Sequence, residues 1–87
     1  MAFKVLDFPR RREGQRVVVG RNFWRVESTH RTKAAAVQEG RKRDRTGAEF
    51  KHFAAVPRLV GFGSLQHRGE WMIVSFVSTE NPFKGFR

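Results

Sequence analysis

Eighty-seven residues with 18 Lys+Arg against 8 Asp+Glu give a formal charge of +10, in a chain long enough for one small domain burying roughly 60–65% of its unfolded surface. Hydrophobic residues at 39% and aromatics at 13% supply a modest core and exclude a wholly disordered chain. The absence of cysteine excludes disulfides, thiol chemistry and thiolate metal sites, and no apolar run approaches the roughly 18–20 residues of a bilayer span.

The first predicted element is a short strand, Phe3 to Phe8, stopped by Pro9. Arg10 to Arg16 is a glycine-containing loop, too charged to bury. Val17–Val19 and Phe23–Glu27 then form a β-hairpin about Gly20-Arg21-Asn22. In it Trp24 and Val26 share one face, and Arg25 and Glu27 share the other.

Thr32 to Arg45 reads as the helix. Thr32 is its N-cap, Ala34-Ala35-Ala36 are strong helix formers, and Gly47 is placed for a left-handed C-terminal residue. At 100° per residue Ala36, Val37 and Gly40 cluster on a small-residue face that suits close packing on a sheet. Gln38, Arg41, Lys42 and Arg45 form a polar stripe, and Glu39 is spaced to pair with Arg43.

Ala48 to Ala54 is the next strand, and Pro57 is expected to interrupt it. Arg58–Leu65 and Trp71–Val77 are the arms of a second hairpin turning at His67-Arg68-Gly69. Both alternating sets of the last strand are apolar, so it is buried on both faces. The helix covers one face, and a second sheet layer, a partner or a second copy in a homodimer covers the other. The fold expected is α+β: a small antiparallel sheet of about five or six strands with one helix across it. Residues 1–80 form the domain and residues 81–87 a tail, whose Phe83 and Phe86 are candidates for docking on a partner.

The charge is concentrated. Residues 10–45 hold 12 Lys+Arg and 4 Asp+Glu, and 13 of the 18 basic residues of the chain are arginine. Arginine pairs bidentately with phosphate and stacks on bases, which points to nucleic acid or a nucleoprotein as partner. The residues expected to contact it are Arg10, Arg11, Arg12 and Arg16 in the first loop, Arg21 and Arg25 in the hairpin, and Arg41, Lys42, Arg43 and Arg45 on the helix. Phe23 and Trp24 interleave with this charge and suit stacking on unpaired bases, although a core this small also claims Trp24, Trp71 and Phe76.

Gly61-Phe62-Gly63 resembles, over three residues, the glycine–aromatic core of an RNA recognition motif's third strand. Only residues 66–70 follow it where that motif needs a helix. Phe23–Glu27 followed by Thr32–Ala36 resembles the sheet-plus-helix DNA-binding domains that begin some phage integrases. That resemblance covers about a quarter of the chain and implies Arg21, Arg25 and Glu27 as base readers; residues 48–87 depart from it.

His30, His52 and His67 lack zinc-binding spacing, and neither a metal nor a cofactor is expected. Glu49 and His52 are the pair for acid–base RNA cleavage, but three residues apart on a strand they face opposite ways. Met1 to Asp7 has no signal-peptide apolar region, so a cytoplasmic protein without a membrane partner is expected. The expected function is non-catalytic nucleic-acid binding. The alternatives are a small regulator of a larger nucleic-acid-handling protein, of the phage or viral kind, and a small ribonuclease.

Overall fold

The computed structural model describes residues 3–83. In chain order it contains β1 (Phe3–Val5), β2 (Arg12–Glu13), β3 (Arg16–Val19), β4 (Asn22–His30), α1 (Lys33–Thr46), β5 (Lys51–Val60), a 3-10 turn (Gly63–Leu65) and β6 (His67–Val77). The class is α+β, one helix on a six-stranded sheet of order β1-β5-β6-β4-β3-β2. The expectation of an antiparallel sheet needs one correction. β1 runs parallel to β5, with Phe3 opposite Phe53 and Val5 opposite Ala55, while the other pairs are antiparallel.

That parallel pair closes the sheet on itself. Beyond β1, Arg10 makes a parallel bridge with Arg58 on β5, and only two residues later Arg12 pairs with Val17 on β3. In a flat sheet of this order those two positions would lie five strand spacings, about 24 Å, apart. Two residues reach at most about 7 Å. The sheet must therefore roll up until the stretch from Phe3 to Glu13 holds both of its edges, which makes a small barrel. Irregularities between Val26 and Ser28 and between Pro57 and Leu59 bend the long strands.

Rolling explains why both faces of β5 and β6 are dry along most of their length. Inside are Val17 and Val19 of β3, Trp24 and Val26 of β4, Ala54 and Val56 of β5, and Met72 and Val74 of β6, joined by Leu6 and Phe83. On the outer face, α1 lays Ala36 over Phe53, Ala55, Trp71 and Ile73. Gly40 is buried against Phe3: a Cβ there would stand 2.2 Å from the Phe3 ring. The doubly apolar β6 is thus covered by the helix outside and by the barrel's own interior, without a second sheet layer, and Val77 at its end stays exposed.

Local chemistry accounts for the elements. The turns Gly14-Gln15 and Gly20-Arg21 are two-residue connections with glycine first at positive φ, the geometry that matches strand twist. Thr32 caps α1 by accepting from the Ala35 N–H at 3.2 Å. Gly47 departs from expectation, with φ −80° rather than left-handed backbone; a Cβ there would sit 2.9 Å from the Arg43 carbonyl oxygen and 3.0 Å from the Phe53 ring.

Three further readings are corrected. The Arg10–Arg16 loop contains a strand, β2. Pro57 does not interrupt β5, which runs through it. Its own carbonyl accepts from the Arg10 N–H at 2.9 Å, so its nitrogen faces the same side, where Asp7 to Pro9 stand outside the paired register of β1 and β5 and a ladder hydrogen bond can be missing. The second hairpin turns at Gly61 to Gln66 rather than at 67–69, since Val60 pairs with His67 and Leu59 with Arg68.

Candidate nucleic-acid interface

Barrel closure brings the Arg10–Arg16 segment against the outer wall of β3 and β4. A cleft of about 270 Å³ lies there, lined by Pro9, Arg10, Arg11, Arg16, Val18 and Phe23, with Glu13 beside them. Arg16 and Phe23 also border a neighbouring cleft of about 300 Å³ that includes Arg25. Pro9 also lines a third, of about 350 Å³, with Phe8, Leu59, Gln66, His67 and Arg68.

Three of these arginines have an aromatic partner. The Arg10 guanidinium lies 4.8 Å from the centroid of Phe8, Arg11 lies 5.3 Å from Phe62, and Arg16 lies 5.9 Å from Phe23. The rings stay wet: Phe8, Phe62 and Phe23 are 73%, 81% and 62% exposed. Hydrogen bonds hold the cations in place. Arg10 donates to the Phe8 carbonyl, Arg11 to the Gly61 carbonyl at 3.4 Å, and Arg12 to the Gly14 carbonyl and the Gln15 side chain at 2.6 and 3.1 Å. Partial burial lowers the Arg10 pKa from its ordinary value.

The other basic residues are elsewhere. Arg41 and Arg45 flank an open groove on the outer side of α1 with Lys33, Ala34, Val37 and Gln38, and Lys42 is exposed. This groove shares no lining residue with the three clefts, and Lys33 at its end pairs with Asp7 at 2.9 Å. Arg43 is occupied, 2.8 Å from Glu39 as its spacing predicts and 3.5 Å from Glu27. Glu27, a base reader in the integrase-like picture, accepts from Ser75 at 2.7 Å and lies 3.4 Å from Lys51. Arg21 and Arg25 are exposed, the first in the β3–β4 turn.

The aromatic residues divide cleanly. Trp24 is buried in the barrel, stacked 5.3 Å from Phe76 and 5.5 Å from Phe83, and Trp71 is buried beneath α1 with Lys33 over its ring. Phe83, read from sequence as a docking residue, therefore belongs to the chain's own core; Phe86 lies outside the described residues. Phe62 reaches Arg11 only because the Gly61–Gln66 turn lies against the Arg10–Arg12 stretch, whereas Phe8 is two residues from Arg10 and meets it locally. Gly61-Phe62-Gly63 forms part of that turn, not the middle of a strand.

His52 is buried and its Nε2 lies 2.9 Å from the Ser78 carbonyl oxygen, while Glu49 is exposed. Among the described residues no group of three His, Cys, Asp or Glu is placed to hold a metal, and no helix is long and apolar enough to cross a membrane. Comparison with protein-family models, curated proteins and solved structures gives no match, so the site is read from its own chemistry.

Proposed function

We propose that this protein binds nucleic acid without catalysing a reaction on it, using the wall formed by Arg10, Arg11 and Arg16. The observation that carries the reading is the set of three exposed phenylalanines, each beside an arginine, on and next to adjoining clefts in a chain of charge +10. Guanidinium groups anchored at a protein surface release counterions when they meet phosphates, and this supplies most of the affinity. Arg12 supports the turn beneath them, Arg25 extends the wall, and Arg41, Lys42 and Arg45 form a second, weaker contact.

Fluorescence anisotropy with labelled DNA and RNA, titrated across salt, tests this. Changing Arg10, Arg11 and Arg16 together to Ala should weaken binding and flatten the log–log salt slope by about 2, at roughly 0.7 per lost phosphate contact on a single strand. The Arg41/Lys42/Arg45 triple variant should lose less. Unchanged affinity in both variants, or no binding near 0.15 M salt, removes the proposal.

A protein-binding regulator is the second reading. Leu65 favours it: an aliphatic side chain 77% exposed on the same turn as Phe62, which base stacking does not use. Under that reading, binding to oligonucleotides disappears at near-physiological salt.

A further inference from the structure

We propose that the nucleic acid bound by this wall is single-stranded, with bases stacking on Phe8, Phe23 and Phe62 while the arginines between them hold phosphates. The inference rests on the nucleic-acid reading above and narrows it to one strand form.

The three clefts adjoin one another through shared lining residues. Pro9 belongs to both the Phe8 cleft and the middle cleft, and Arg16 and Phe23 belong to both the middle cleft and the one reaching Arg25. A strand following them meets Phe8 near one end, Arg10, Arg11 and Arg16 in the middle, and Phe23 beyond. Phe62 stands beside Arg11. Glu13 lines the middle cleft and repels phosphate, which restricts the track a backbone can take.

Duplex fits this surface poorly. Its bases are stacked inside, so a phenylalanine on a wall meets sugar and phosphate rather than a base face, and reading a groove needs a protruding helix or ribbon. Here α1 is packed down on the barrel through Ala36 and Gly40, and its Arg41 and Arg45 line a groove of their own. A flexible single strand offers what three wet rings beside cations accept: a π-face for each ring and a phosphate for the neighbouring guanidinium. Ring exposures of 62–81% are also more than the fold requires, since these side chains lie outside both core clusters.

The test compares labelled 12-nucleotide single-stranded DNA and RNA, an abasic strand of the same length, and the matching duplex, using wild type and the variants Phe8→Ala, Phe23→Ala and Phe62→Ala. All three positions are exposed, so thermal melts should stay close to wild type. The expected result is single strand bound more tightly than duplex or abasic strand. Each Ala variant should then lose about 5- to 150-fold, the range of one base–aromatic stack, while losing nothing on the abasic strand. Equal binding of duplex, abasic and single strand, with Phe variants like wild type and the Arg10/Arg11/Arg16 variant weakened, overturns stacking and leaves the nucleic-acid reading standing. No binding of any probe by wild type overturns both.

Discussion

Glu27 is 16% exposed and meets three elements at once: Ser75 on β6, Lys51 on β5 and Arg43 on α1. Burial pushes its pKa up, but the Ser75 hydrogen bond and the charges of Lys51 and Arg25 outweigh it, so the carboxyl sits below its ordinary value. Glu70 is lowered as well, chiefly by the hydrogen bond from Arg58 at 2.8 Å. A carboxylate whose folded pKa is depressed contributes stability that is complete above its unfolded pKa and is lost as pH falls through the folded value. Urea denaturation should therefore show a stability plateau above about pH 5 and a decline below it. Glu27→Gln should flatten that decline and cost about 1–2 kcal/mol at neutral pH, because Ser75 and Lys51 keep only a neutral partner. A pH profile of the variant that overlays wild type would remove Glu27 from this role.

At the scale of elements, the C-terminal segment behaves as part of the barrel. After β6, Ser78 donates its N–H to the Phe50 carbonyl at 2.9 Å, and the chain then brings Phe83 onto Trp24. Truncation after Glu80 should lower stability by about 2–4 kcal/mol, as for loss of a buried phenylalanine, and Phe83→Ala alone should account for most of it. A truncated chain with an unchanged melting temperature would return Phe83 to the role of an external docking residue. The helix, by contrast, was legible in the sequence to within one residue, because cap, alanines and small-residue face are all local signals. The course of β5 through Pro57 was not. What permits that proline is the position of Arg10, 47 residues away, and no local pattern encodes it. The candidate site was half legible for the same reason: the charge of Arg10 to Arg16 is written in one stretch with Phe8 two residues before it, whereas the ring facing Arg11, Phe62, depends on closure.

For the whole molecule, closure means that Phe3–Glu13 holds two strands that would otherwise be open edges. Arg10 carries both a backbone and a side-chain role, and substitutions separate them. Arg10→Ala keeps the N–H donated to Pro57 and should leave stability within about 0.5 kcal/mol while weakening nucleic-acid binding. Arg10→Pro removes that N–H at the bridge. It should cost about 1–3 kcal/mol and expose β5 to pairing with other chains, read as self-association in size-exclusion chromatography. Equal stability of the two variants would mean that the bridge contributes nothing to closure.

The bridge between Arg10 and Arg58 also fixes an order of events during synthesis. A ribosome adds about 5–20 residues per second, so the stretch ending at Glu13 is made about 2–10 s before β5 is complete. In that interval β2, β3 and β4 can form their local meander, but β1 has no strand to lie beside. The earliest of the six strands to be made is among the last to find its partner, and the nascent chain carries its densest run of arginine on a half-built wall until then.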